Sequence, residues 1–162
     1  MQDLRAGFRF EPDAEISIEV DPRTATPARL AHLRQLGFNR LSFGVQDFDQ
    51  RVQVAVHRVQ SFEDVRALMQ SARALGYDSV NVDLIYGLPL QTTESFARTI
   101  SQVVTLRPDR IALYAYAHLP ERFKPQRRIN ESDLPDRATR VGLLSPAIDG
   151  FLQQGYTYIG MD

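Results

Sequence analysis

Along the chain, the spacing of apolar side chains switches between two residues and about 3.6, the periods of a half-buried strand and an amphipathic helix. Glu15-Ile16-Ser17-Ile18-Glu19-Val20 alternates strictly and predicts a first strand, stopped by Asp21-Pro22. Thr26-Pro27 then supplies an N-cap and a proline at the first helical position. Leu30, Leu33 and Leu36 line one face of that helix, which Gly37 ends. Leu41 to Gln46 alternates as a second strand, and Asp49 to His57 predicts a short helix. Ser61-Phe62-Glu63-Asp64 opens a further helix in the manner of a capping box, carrying Val65, Leu68, Met69, Ala72 and Leu75 up to Gly76. Val80 to Ile85 is a third strand, broken by Gly87-Leu88-Pro89. Thr92 or Thr93 caps a helix bearing Phe96, Ile100, Val103 and Leu106, and Ile111 to Ala117 is a fourth strand. Leu119 to Leu134 predicts a long basic loop with a short helical piece. A helix over about 138–153 and a fifth short strand, Tyr156 to Ile159, complete the pattern.

One element recurs. Leu36-Gly37-Phe38-Asn39, Leu75-Gly76-Tyr77-Asp78 and, more loosely, Gln154-Gly155-Tyr156-Thr157 each turn a helix into a following strand through glycine. The repeating strand–helix unit calls for a parallel sheet with right-handed crossovers, hence an α/β fold. Glu19, Gln46 and Asp83 stand on the polar side of their strands, near the C-terminal ends. Such ends form the ligand-binding rim of a β/α barrel, whereas a doubly wound sheet calls for a glycine-rich phosphate loop after its first strand. No such loop is present. A complete eight-stranded barrel takes about 250 residues. The 162 residues therefore predict a single, incomplete barrel domain of parallel strands with outer helices.

Composition narrows the chemistry. The chain is 43% apolar and 24% charged, enough for a packed core, and its net charge of −1 gives no bulk attraction to nucleic acid or an anionic membrane. No apolar run reaches membrane-spanning length, and the N-terminal residues lack the apolar core of a secretory signal, so a cytoplasmic location is expected. All but one of the 19 basic residues, Lys124, are arginine, whose fork of donors suits carboxylates. There is no cysteine, so these residues offer no disulfide, thiol nucleophile or iron–sulfur ligand.

Glu19 and Asp83 can each accept two hydrogen bonds from a ribose diol or pair with an ammonium group; the alternative is an interior salt bridge to an arginine such as Arg58. Gln46 offers a donor and an acceptor to a ligand, or makes a structural hydrogen bond. Arg58 is either a bidentate clamp for a ligand carboxylate or an exposed arginine. His57 and His118 are candidate acid–base groups, while His32 reads as a helix-face residue; none has metal-ligand spacing, so no metal site is expected. Gly87-Leu88-Pro89 permits close backbone approach to a ligand directly behind a strand-end acid. The basic cluster Arg122, Lys124, Arg127 and Arg128 reads as a solvated loop or a seat for a polycarboxylate.

Longer stretches carry a resemblance. Glu15 to Arg23, Asn39 to Phe48, Asn81 to Thr92, Tyr116 to Pro120 and Gly155 to Asp162 together resemble the radical S-adenosylmethionine enzymes of haem biosynthesis. The specific family is oxygen-independent coproporphyrinogen III oxidase, also called the dehydrogenase. The resemblance runs from about Asp13 to Asp162. Haem chaperones of the same superfamily share the Gly-Val-Gln and Gly-Leu-Pro-x-Gln-Thr segments. The stretch with Ala117-His118-Leu119-Pro120, Phe123 and Gln126-Arg127-Arg128-Ile129 instead is similar to the oxidase, as is Glu19-Val20-Asp21-Pro22-Arg23.

The resemblance implies a chemistry. A 4Fe–4S cluster reduces S-adenosylmethionine to a 5′-deoxyadenosyl radical, which takes a hydrogen from a propionate of coproporphyrinogen III. Loss of carbon dioxide and an electron leaves a vinyl group, and two rounds give protoporphyrinogen IX. It further implies two S-adenosylmethionine molecules, with Glu19 facing the cluster-bound one and Gln46, Arg58, Asp83 and Ala117 around the second. These residues position a cofactor; none is itself catalytic.

The family's cluster motif, Cys-x3-Cys-x2-Cys, and the glycine-rich segment after its second strand do not occur here, and both are expected upstream of Met1. The strands present would be the third to sixth of the barrel, followed by the start of the C-terminal region. Gly142, Pro146 and Gly150 interrupt a segment that the family runs as helix, and Pro146 costs a helix interior about 3 kcal/mol unless it opens a new turn. The expected partners are coproporphyrinogen III and an electron donor, without nucleic acid. The 162-residue piece alone is expected to be inactive, and to self-associate through an open sheet edge.

Overall fold

The computed structural model describes residues 1–160. A short helix, α1 (Gln2–Gly7), precedes β1 (Ser17–Val20), α2 (Pro27–Gln35), β2 (Arg40–Gln46), α3 (Gln50–Ala55), α4 (Phe62–Ala74) and β3 (Ser79–Tyr86). Then come α5 (Thr93–Leu106), β4 (Arg110–Ala115), two 3₁₀ segments (Lys124–Arg128, Glu131–Asp133) and α6 (Arg137–Gln153). The strands form one parallel sheet in the order β1-β2-β3-β4. Each crossover runs through at least one helix, as parallel pairing requires.

Local chemistry sets the boundaries. The Thr26 hydroxyl accepts from Arg29 N at the start of α2, with Pro27 at the first helical position. Ser61 caps α4, accepting from Asp64 N at 3.0 Å. Thr92, rather than Thr93, caps α5, and Ser95 returns the bond to Thr92 N in a reciprocal capping box. Gly37 and Gly76 take φ of +98° and +74°, the left-handed conformation that ends a helix without a Cβ penalty.

The pleat separates two faces. Leu41, Phe43, Val45, Val80, Val82 and Leu84 point to one side and are buried, each at most 1% exposed. Over them pack Leu30 of α2, Val65 and Met69 of α4, Phe96 and Val103 of α5, and Leu143 and Ala147 of α6. Each large side chain buried there contributes about 1.5–3 kcal/mol. The opposite face carries Glu19 on β1, Arg40, Ser42 and Gly44 on β2, Asn81 and Asp83 on β3, and Arg110 and Ala112 on β4. It is polar, and the buried apolar cluster lies on the other side of the sheet.

Three expectations change. Tyr156–Ile159 is not a strand: Tyr156 packs edge-on against Phe151 and donates to Pro108 O at 2.6 Å, which pins the segment beside α5 rather than in the sheet. The sheet among the described residues therefore has four strands, and Met161 and Asp162 lie outside those residues. Second, α6 runs through Pro146. The carbonyl that loses its donor belongs to Gly142, and both positions reach solvent, where water can replace the bond. Gly150 has its own reason, because a Cβ there would stand 3.3 Å from Ile100 Cγ2 on α5. Third, α1 carries no periodic signal and was not expected from the pattern.

Candidate functional site

The polar face converges at Gly44, next to the end of β2. A Cβ built on Gly44 would lie 3.0 Å from Gln46 Nε2, 3.4 Å from Arg58 Nη2 and 3.4 Å from Glu19 Oε1. Asp83 is the register partner of Gly44 on β3. Four of the five residues singled out from the sequence thus surround one glycine, whose missing side chain leaves room between them. Asp83 sits three residues before the end of its strand rather than at it.

Backbone geometry aims two of these groups. The β2–β3 register shifts between Gly44 and Gln46, and Gln46 adopts a φ of +67°, uncommon for a residue with a Cβ. Arg58 follows α3 and reaches back to donate to Gly44 O at 3.1 Å. Its nearest carboxylate is Asp21, at 3.7 Å, so it pairs with neither Glu19 nor Asp83. Asp21 belongs chiefly to Arg23, which grips it through Nε and Nη2 and holds its carboxyl down at about 2. Gln46 Oε1 and Arg58 Nε are shielded from solvent and have no partner among the described residues. A buried polar atom left unpaired costs about 1–3 kcal/mol, and Gln60 Oε1 nearby is a third such atom.

Asp83 accepts from the Ser42 hydroxyl at 2.8 Å. Burial pushes its carboxyl up, and the Glu19 charge adds to the effect, while Ser42 and Arg40 oppose it. Two carboxylates on neighbouring parts of one polar face suit hydroxyl or ammonium donors.

Beside these groups runs a groove of about 460 Å³, lined by Gln46, Arg58, Arg23, Tyr116 and Arg128 over an apolar floor that includes Ile85. Ala117 is not at the Gly44 cluster: it follows β4, and its carbonyl accepts from Gln126 Nε2 at 3.0 Å. His57 lines the groove, whereas His118 is held by Tyr116 and Glu131, and His32 lies exposed on α2. Of the basic cluster only Arg128 faces the groove; Arg122, Lys124 and Arg127 are exposed. Among the described residues, no three His, Cys, Asp or Glu side chains are grouped to hold a metal ion.

Sequence reasoning missed several contributors. Arg23 was readable from Asp21-Pro22-Arg23, which places the pair two apart across a turn. Ser42 stands opposite Asn81 and reaches Asp83 diagonally, a contact that only the strand register creates. Asp47 is 1% exposed and accepts from Thr99 and Gln91, far away in sequence, so periodicity could not find it.

Parallel strand–helix units with polar groups gathered toward one end of the sheet define an incomplete β/α barrel. A family model for the Radical SAM superfamily matches residues 2–103, and the chain belongs to that superfamily. It is 50% identical over its whole length to an oxygen-independent coproporphyrinogen III oxidase of Pseudomonas aeruginosa, covering 36% of that protein. It is 52% identical to the Escherichia coli protein of the same name, covering 35% of it. Among solved structures, Escherichia coli coproporphyrinogen III oxidase, described as a radical SAM enzyme, superposes with a TM-score of 0.95 at 52% identity. That match covers 99% of this chain and 37% of the other. A radical S-adenosylmethionine methyltransferase from Kitasatospora setae shares the fold at 16% identity, with a TM-score of 0.60 over 73% of this chain and 23% of that one. The chain spans about a third of the length of the curated relatives it matches.

Proposed function

We propose that this chain forms the third to sixth strand–helix units of the barrel, and the start of the C-terminal region, in an oxygen-independent coproporphyrinogen III oxidase. The reaction is the oxidative decarboxylation of two propionates of coproporphyrinogen III to the vinyl groups of protoporphyrinogen IX. The substrate assignment is supported by 52% identity to the Escherichia coli oxidase along the whole of this chain. The observation that carries the ligand assignment is the cradle at Gly44, with the unpartnered Gln46 Oε1 and Arg58 Nε beside it.

These groups fit S-adenosylmethionine. Arg58 is the cation for a methionine carboxylate, Gln46 offers an amide to the same ligand, and Asp83 accepts from ribose hydroxyls or the ammonium group. Ala117, away from Gly44 and with its carbonyl bonded to Gln126, is assigned to the surroundings of the same molecule by the resemblance alone, and Glu19 to the cluster-bound one. The chemistry that S-adenosylmethionine would supply, once an electron from the cluster cleaves it to methionine and a 5′-deoxyadenosyl radical, is hydrogen-atom abstraction from the substrate. The residues named here bind and orient it and move no proton themselves. A four-iron cluster does not fit these residues, which contain no cysteine. Its Cys-x3-Cys-x2-Cys ligands must come from elsewhere in the reading frame, and the isolated 162 residues are expected to be inactive.

The complete reading-frame product, reconstituted with iron, sulfide and reductant, is expected to decarboxylate coproporphyrinogen III; haem binding without turnover would assign it to the chaperones instead. In that protein, Arg58→Ala removes a charge-assisted bond of about 1.5–3 kcal/mol and should weaken S-adenosylmethionine binding about 10- to 100-fold. Asp83→Ala should weaken it as well. Equilibrium binding unchanged in both variants would overturn the site assignment. Among the described residues β1 and β4 each pair on one side only, so the isolated chain should self-associate, and a monomer in light scattering would count against this.

A further inference from the structure

Gln46 occupies an unusual backbone position. Asp47 N donates to Val45 O at 2.9 Å, two residues back, with Gln46 between them at a φ of +67°. This is the rare, strained form of the γ-turn. Such conformations persist only where the surroundings over-determine them. Here the next residue supplies the determination.

Asp47 is 1% exposed and makes no ion pair among the described residues. Its charge is met by neutral donors. Oδ1 accepts from Thr99 Oγ1 at 2.6 Å and Asp49 N at 2.7 Å, and Oδ2 accepts from Gln91 Nε2 at 2.5 Å. The Asp47 carbonyl accepts from Gln53 Nε2 at 2.9 Å, and the Gln53 carbonyl accepts from Arg58 N at 2.9 Å. Gln91 in turn takes Gly87 N at 2.6 Å and Leu88 N at 3.3 Å on its oxygen, and gives its nitrogen to Ile85 O. Desolvation pushes the Asp47 carboxyl up, and only these donors hold it down. A carboxylate so costly to bury has no packing advantage over a neutral side chain. It lies one residue from a ligand-facing amide and bonds to the turn behind Asp83.

We propose that Asp47 is a positioning residue that fixes Gln46 in its turn and couples it, through Gln91, to the Gly87–Gln91 turn. The strand-end amide and Arg58 then hold one aim toward a ligand at Gly44. The inference rests on the reading that Gln46 and Arg58 hold S-adenosylmethionine.

Polarity makes the coupling testable. Gln91 cannot flip its amide without losing Gly87 N and Leu88 N, and a carboxamide at position 47 must turn its NH₂ toward either Gln91 Nε2 or Asp49 N, so Asp47→Asn sets one donor against another in both orientations. Gln91→Glu sets two carboxylates against each other. The double variant Asp47→Asn/Gln91→Glu restores a donor–acceptor pair between the two positions with its direction reversed, while Ile85 O loses the donor it also loses in Gln91→Glu alone, so recovery is read against Gln91→Glu. The experiment uses the complete reading-frame product, with S-adenosylmethionine binding at equilibrium and amide hydrogen exchange over residues 44–49 and 86–92 as readouts. Asp47→Asn is expected to weaken binding about tenfold and to speed exchange in both segments, with the double variant binding at least about threefold tighter than Gln91→Glu alone. A general packing role would lower the melting temperature without the double variant recovering binding. Parental binding by Asp47→Asn, a double variant that binds no tighter than Gln91→Glu alone, or exchange altered in only one segment would each overturn the proposal. If Asp47→Asn does not fold, Thr99→Val removes the hydroxyl that donates to Asp47 and accepts from Phe48 N, leaving the Gln91 bond in place; about threefold weaker binding supports the proposal, and parental binding overturns it. Should the parent itself not bind S-adenosylmethionine, the functional reading fails, and paired or unpaired exchange still decides the coupling.

Discussion

The two faces of the sheet obey different rules. On the helix-covered face, Phe43, Val82, Val65 and Phe96 are interchangeable in kind: each fills volume, and its neighbours share the work. On the polar face, Glu19, Gln46, Arg58 and Asp83 are few, incompletely satisfied and individually aimed. One face spends its residues on stability, and the other holds unpaired groups and a strained turn that stability alone would remove.

The sharpest break in this contrast is Phe43→Ala, which leaves a cavity under α4 and α5. It should destabilise the protein by about 3–5 kcal/mol in urea unfolding while leaving the ligand affinity of the folded fraction near parental. Arg58→Ala should do the reverse, with the binding loss given above and a stability change within about 1 kcal/mol. Equal effects of both variants on both readouts would erase the distinction between faces. Next comes pH. Asp21, held down at about 2 by Arg23, contributes stability that is full above the ordinary carboxylate range and is lost as pH falls toward 2. Asp83 has the opposite sign: its raised carboxyl costs stability when ionised, so Asp83→Asn should be more stable than the parent at pH 7. That advantage should vanish below about pH 4, where both forms are neutral. The smallest effect is expected at Glu63–Arg66, an exposed pair on α4, where Arg66→Ala should shift stability by no more than about 0.5 kcal/mol.

The face under the helices was legible in the sequence because its signal is repeated. Alternation in Leu41–Gln46, the leucines of α2 and the caps at Thr26 and Ser61 all point the same way. Tyr156–Ile159 misled because its alternation comes from a hydrogen-bonded tyrosine packed on Phe151, not from a sheet. Pro146 ran against propensity because the freed Gly142 carbonyl reaches water. At the site, Glu19, Gln46, Arg58 and Asp83 were legible as polar residues on strands or just beyond them. Their meeting at Gly44 was not, because it depends on a register shift and a left-handed residue that no periodicity encodes. Asp47, Gln91 and Thr99 read as ordinary loop and helix residues, because burial of the first is created by the fold.

The strand order also has a consequence for synthesis. Each strand pairs with the strand just before it in the sequence, so no early segment waits for a late one to complete its neighbour. A ribosome adds about 5–20 residues per second, slow against the collapse of a strand–helix unit. The sheet can therefore be laid down one unit at a time as the nascent chain emerges, with the newest strand as its only growing edge.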